Sequence, residues 1–157
     1  MISENDIQAQ NLAYYGNCRS SSQWRDFVLT LIGEMYQSAG SVDAGNFLRH
    51  VGSRVAAAKP LDEQPTLEAF EASLNGILQE LEWGWVRLAV DNQSVRIVHG
   101  AYPGIMETAD YWGQAMAAVL EGMYQQWFQV QGSGESLLQV QCIAVSKNGA
   151  LVFRCGS

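Results

Sequence analysis

Two histidines, three cysteines and sixteen acidic residues are the groups from which this chain would have to build a reaction. None of them falls into a metal or nucleophile pattern: there is no His-x-x-x-His, Cys-x-x-Cys, Gly-x-Ser-x-Gly elbow or glycine-rich phosphate loop. Glycoside chemistry needs two carboxylates flanking a sugar bond, and Glu107, Asp110 and Glu121 are the candidates. Glu107 and Asp110 fall in a loop and at a helix start, where an acidic residue caps the helix in any case. Glu121 stands between Leu120 and Gly122 on a helix. His99 ends an apolar strand face beside Gly100 and reads as a hydrogen-bonded structural residue; the other reading is a small-ligand sensor pocket near it. His50 lies among Arg49, Arg54 and Lys59 and reads as a partner of a helix dipole. Neither a catalytic centre, a cofactor nor a metal site is expected.

Cys142 and Cys155 carry one geometric question. Asn148-Gly149 favours a type I′ hairpin turn. That register pairs Lys147 with Ala150 and, counting outward, Cys142 with Cys155. A cross-strand disulfide and two thiols in a reducing cytosol are both compatible with it.

The elements that position these groups centre on residues 82–130. Leu88-Ala89-Val90 and Val95-Arg96-Ile97-Val98 flank Asn92-Gln93. With those two residues as the turn, Asp91 pairs with Ser94, Leu88 with Ile97 and Val86 with His99. Val86, Leu88, Val90, Val95, Ile97 and His99 then share a nearly dry face. The following helix, about 111–131, has apolar residues at Trp112, Ala115, Met116, Val119, Leu120, Met123, Trp127 and Val130. It is expected to lie across that face. Its Gly113/Ala117 and Ala118/Gly122 pairs, each four apart, are expected to admit a second helix closely, with a sister copy of the chain as one source.

Upstream, residues 1–20 show no sustained period and form an N-terminal arm, with residues 21–157 as a single α+β domain. The arm is either a loose terminus or a segment that orders against something polar and flat. A helix capped by Ser21 or Ser22 has Trp24, Phe27, Val28, Leu31, Ile32 and Met35 as its buried stripe, and Gly40 stops it. Ser41 opens the next, whose Phe47, Leu48, Val51 and Val55 face inward before Pro60 ends it. Thr66 caps a third, with Leu67, Phe70, Leu74, Ile77, Leu78 and Leu81 as its stripe. A second hairpin runs from Leu137 to Val145 and from Leu151 to Cys155. The expected class is thus α+β: three helices, a hairpin, a long helix and a second hairpin, about four antiparallel strands in all.

Composition narrows the function. Charged residues make up 16 % of the 157, below the ~25 % usual for soluble domains. So few charges suit a surface that copies of the chain cover. A net charge of −7 and a pI of about 4.7 argue against nucleic acid and anionic lipid. No apolar run approaches the ~18 residues of a membrane span, and Met1-Ile2-Ser3-Glu4-Asn5-Asp6 lacks the features of a signal peptide. The expected location is the cytoplasm, at the inner face of the membrane, with the periplasm as the alternative.

Several stretches resemble the D subunit of bacterial cellulose synthase complexes. They are Glu82-Trp83-Gly84-Trp85, Gln93-Ser94-Val95-Arg96-Ile97-Val98-His99, and Val119-Leu120-Glu121-Gly122-Met123-Tyr124 with Trp127. Phe47-Leu48-Arg49 with Val51-Gly52 and Arg54 is a weaker match. The likeness spans about residues 25–131. It implies a non-catalytic accessory scaffold, a homo-octameric cylinder built as a tetramer of dimers. It also implies partners among the other cellulose synthase subunits and accessory proteins, and β-1,4-glucan chains ordered for export. N-terminal segments of such proteins line the passages that hold glucan. Carried onto this chain, that role falls to Gln8, Asn11, Tyr14, Tyr15 and Asn17, whose rings can stack on sugar faces and whose amides can answer hydroxyls. Oligomer packing falls to Gly113, Ala117, Ala118 and Gly122. A small carbohydrate-active enzyme and a small-ligand sensor are the alternatives.

Overall fold

The computed structural model describes residues 2–17, 22–104, 111–131, 138–145 and 150–156, with the side chains of residues 15–17 and 22 outside that description. In chain order its elements are α1 (Glu4–Asn17), α2 (Ser22–Ala57), α3 (Leu67–Leu81), β1 (Trp85–Asp91), β2 (Ser94–Gly100), α4 (Trp112–Gln131), β3 (Gln139–Val145) and β4 (Ala150–Gly156). The α+β order expected from sequence is therefore present, with one further helix, α1, where the sequence shows no period.

The first hairpin has the register that its turn dictates. Asn92 and Gln93 take φ of 45° and 70°, the left-handed pair of a two-residue turn. Asp91 then pairs with Ser94, Leu88 with Ile97 and Val86 with His99. The four strands form one antiparallel sheet in the order β1-β2-β4-β3. Two α-β-β units, α3-β1-β2 and α4-β3-β4, thus meet at β2 and β4. The second hairpin departs from expectation. Cys142 faces Phe153 and Cys155 faces Val140: Val145 already pairs with Leu151, one residue off the expected register, and the β3 register shifts by one more between Cys142 and Ala144. Cys142 and Cys155 are both free thiols, and burial raises the pKa of each.

One sheet face carries Val86, Ile97, His99, Leu151, Phe153 and Cys155, all buried. α4 lies over it, with Tyr124 against Phe153 and His99. Val90, expected on the dry face, is 72 % exposed because it sits at the hairpin tip, and Val130 is exposed at the end of α4. The rest of α4 is buried nearly all round, since α2 covers its other side. Leu120, Met123, Tyr124 and Trp127 are each almost fully enclosed, worth about 1.5–3 kcal/mol per aliphatic or Met side chain.

The α2–α4 crossing is reciprocal. A Cβ on Gly52 would lie 2.0 Å from the Val119 carbonyl oxygen, and one on Gly122 would lie 1.9 Å from that of Arg49. The two backbones touch there, and only glycine fits on either side. The close helix approach read from the small residues of α4 is thus made by α2 of the same chain. α2 itself is broken at Gly40, whose φ of 81° and ψ of 164° are non-helical. That is the stop expected from sequence. Thr66 caps α3, accepting from the Ala69 N–H at 3.1 Å.

Both edge strands are closed by helix side chains. From α3, Asn75 accepts from Val86 N–H and donates to Val86 C=O, while Glu71 accepts from Leu88 N–H. From α4, Gln125 accepts from Val140 N–H and donates to Leu138 C=O, while Glu121 accepts from Cys142 N–H. In each helix a carboxylate and an amide four residues apart share one face. They occupy backbone groups that would otherwise template further strands.

Candidate functional site

α1 lies on the opposite face of the sheet from α3 and α4. Ile7 is buried with Trp85, Ala101 and Ala150. The Trp85 indole N–H donates to Asn11 Oδ1 at 2.8 Å in a buried bond, and the Tyr14 hydroxyl donates to the Leu78 carbonyl at 3.3 Å. Of the five residues expected to meet glucan, Asn11 is buried, Tyr14 is half-buried and Gln8 is exposed. Tyr15 and Asn17 belong to α1, and their side chains lie outside the description.

The four positions expected to pack an oligomer are distributed differently. Ala117 and Ala118 are buried, and Gly122 meets Arg49 of α2. Gly113 faces the Tyr102 hydroxyl, 3.7 Å from where its Cβ would stand. The open apolar surface is elsewhere. Trp24, Phe27 and Leu31 are 58 %, 59 % and 49 % exposed, and the first two rings meet edge to face at 6.0 Å. Phe47 and Val42 are exposed as well. This corrects the expectation that Trp24, Phe27, Leu31 and Phe47 face inward. Only one side of this helix meets the described part of its own chain: Ile32 is buried, and Val28, Leu29, Met35 and Tyr36 pack against the core. The helix thus has an apolar side that no described part of the chain covers, the kind of surface that marks an interface.

His99 and Glu121, two of the groups considered for chemistry, serve the fold. His99 is fully buried: its Nε2–H donates to the Trp83 carbonyl at 2.7 Å and its Nδ1 accepts from the Tyr124 hydroxyl. Burial lowers its pKa to about 4, against the opposing pull of the Trp83 carbonyl. The imidazole is therefore neutral, with neither nitrogen open to a ligand. Glu121 pairs with Arg49 at 3.1 Å and accepts from Cys142 N–H, so it joins α2, α4 and β3. Glu107 and Asp110 lie outside the described residues. Among the described residues no cluster of His, Cys, Asp and Glu is placed to hold a metal ion, and no helix is long and apolar enough to cross a membrane.

The signal that spacing alone does not reveal is the pair of edge-closing motifs. Glu71 with Asn75 and Glu121 with Gln125 are visible as spacings, but any amphipathic helix offers such pairs. Their meaning appears only when a strand edge is alongside.

Comparison with known proteins places this arrangement. The chain is 31 % identical over 107 residues to a cellulose synthase operon protein D of Komagataeibacter xylinus, covering 67 % of this chain and 69 % of that one. The same protein from Komagataeibacter sucrofermentans matches to the same extent. In fold, the chain resembles a trafficking protein particle complex subunit 3 from Naegleria fowleri, solved with covalently bound palmitic acid. That match has a TM-score of 0.50 at 11 % identity and covers 98 % of this chain and 96 % of that one. It is a likeness of architecture alone. The model of the cellulose synthase D-subunit family matches residues 10–156, nearly the full length including both hairpins and most of α1, and the chain belongs to that family.

Proposed function

We propose that this chain is a non-catalytic accessory subunit of a cellulose-synthesising machinery, working as a self-assembled scaffold that organises glucan chains. The observation that carries the assembly is the ridge of Trp24, Phe27 and Leu31 on α2, which stands exposed among the described residues. Three large apolar side chains at helical spacing cost free energy in water, about 25 cal/mol for each Å² of apolar surface that a partner could cover. A homo-octamer built as a tetramer of dimers, the arrangement of the family, offers a sister ridge as cover. The scaffold role is further supported by the structural use of His99 and Glu121, which leaves neither for turnover.

For glucan, α1 is the segment of interest. Asn11 and Ile7 hold it against the sheet, so that it is a firm element and not a trailing thread. Gln8 is presented outward, and Tyr14, Tyr15 and Asn17 follow on the same helix. In this reading Asn11 positions the helix, and Gln8, Tyr15 and Asn17 make the contacts with sugar. A cytoplasmic seat beside the synthase belongs to the same reading.

Light scattering tests the assembly. A mass near eight times 17.3 kDa is expected, falling to a smaller species in Trp24→Glu/Phe27→Glu. A monomeric wild-type protein would remove the scaffold reading. Cello-oligosaccharide titration followed by NMR tests the glucan contact, with shifts expected at α1 and weakened in Gln8→Ala.

A further inference from the structure

The outer face of the sheet, beside α1, holds a groove of about 740 Å³. Its floor is apolar, made by the short side chains of Ala89, Val98 and Val152, and α1 forms one wall through Ile2 and Ile7. Its charged lining is balanced, with Arg87 and Arg96 set against Glu4 and Asp91. Arg87 is provided for within the chain, with Glu71 at 3.9 Å and its guanidinium 5.8 Å from the Trp85 ring centroid. Arg96, Glu4 and Asp91 form no ion pair among the described residues. Donors and acceptors thus stand side by side around an apolar floor.

A strongly charged ligand of either sign would meet like charges in this lining as well as opposite ones. The ligand it suits is uncharged, with flat apolar faces and a rim of groups that both donate and accept. A β-1,4-linked glucan is such a molecule. The axial C–H bonds of its pyranose rings point to the two faces, and its hydroxyls lie around the edge. A hydroxyl accepts from a guanidinium and donates to a carboxylate, and hydrogen bonds with an ionised partner are the stronger kind. The C–H face removes apolar floor from water. Glu4 and Gln8 lie four residues apart on α1 and so share one side of it. The groove therefore adjoins the part of α1 that presents Gln8.

We propose that this groove is a sheet-face subsite for a β-1,4-glucan segment. The segment lays a C–H face on Ala89, Val98 and Val152, and its hydroxyls accept from Arg96 and donate to Glu4 and Asp91. This role rests on the glucan-organising reading of the chain and adds to it a surface outside the α1 contacts.

Titration of the full-length protein, labelled at its Ala and Val methyl groups, with cellohexaose tests this by NMR. The Ala89, Val98 and Val152 methyl signals are expected to shift together. Arg96→Ala/Asp91→Ala leaves the net charge of the lining unchanged while removing a donor and an acceptor, and should weaken binding about tenfold. Ala89→Glu, at an exposed strand position, should abolish the floor shifts; circular dichroism checks the fold of both variants. Cellohexaose affinity should be nearly indifferent to salt. Oligomers of the same β-1,4 backbone that carry carboxylates at C6 or amines at C2 should bind more weakly than cellohexaose. Shifts confined to α1 would overturn the subsite and leave the α1 contact standing, whereas no shift anywhere would overturn both. Affinity unchanged in either variant, or tighter binding of either charged oligomer, would also overturn the subsite.

Discussion

Changing Gly122 to Ala should destabilise the protein, although alanine is the better helix former. In an exposed helix the exchange gains about 1 kcal/mol. At Gly122 the added methyl would stand 1.9 Å from the Arg49 carbonyl oxygen, 2.8 Å from its carbon and 3.0 Å from its Cα. Real Cβ atoms essentially never come closer than 3.0 Å, so α2 and α4 must part by about 1 Å. The obstacle is backbone, which cannot swing aside as a side chain would. Overpacking costs about 1–3 kcal/mol when side chains and backbone shift, and a helix-on-helix contact belongs at the upper end. The net loss is about 2 kcal/mol, or a Tm lower by about 4–8 °C at this chain length. Gly76 supplies the control. It too lies inside a helix, α3, but nothing stands within 4 Å of its Cβ position. Gly76→Ala should raise Tm by about 2–4 °C. Thermal unfolding followed by circular dichroism reads both. A Gly122→Ala protein that melts at or above the wild type would refute the account of the crossing, since the propensity gain would then have met no opposing contact.

Two further outcomes follow from the buried polar pairs. His99 is held neutral with a pKa near 4 and takes a proton at about 6.5 when unfolded. The unfolded chain therefore binds more protons between those values, and stability falls as pH drops through that window, by about 2 kcal/mol at pH 5 and about 3 kcal/mol at pH 4. Urea unfolding between pH 7 and 5 should show this slope in the wild type and lose it in His99→Gln; an equal slope in both would assign it to other groups. Replacing Asn11 by Ala orphans the Trp85 indole N–H, a loss of about 1–3 kcal/mol that falls on the docking of α1. Hydrogen exchange should speed up in α1 and stay slow in α4, while Gln8→Ala should change neither.

Much of this architecture is legible one element at a time. Asn92-Gln93 sets the first hairpin's register, Thr66 the start of α3 and Gly40 the break in α2, because each acts on backbone within a few residues of itself. The motifs around Trp83, Gln93 and Glu121 carry the family resemblance for the same reason: they are contiguous. α1 escapes such a reading because its anchors, Ile7 and Asn11, are too few to make a period. The second hairpin's register escapes it because neither the pairing of Val145 with Leu151 nor the further shift at Cys142/Ala144 has a local signature comparable to Asn148-Gly149. Tertiary structure alone decided which apolar faces are covered. Trp24, Phe27 and Leu31 share one helix face by their spacing just as Phe70, Leu74 and Leu78 do, yet only the latter are buried. The difference lies in what stands opposite, as Val119 stands opposite Gly52 and Phe128 opposite Phe70. Such contacts join residues far apart along the chain. A helix's own spacing fixes which side chains share a face, whereas covering that face takes a second surface, which the described part of the chain supplies for α3 and does not supply for this side of α2.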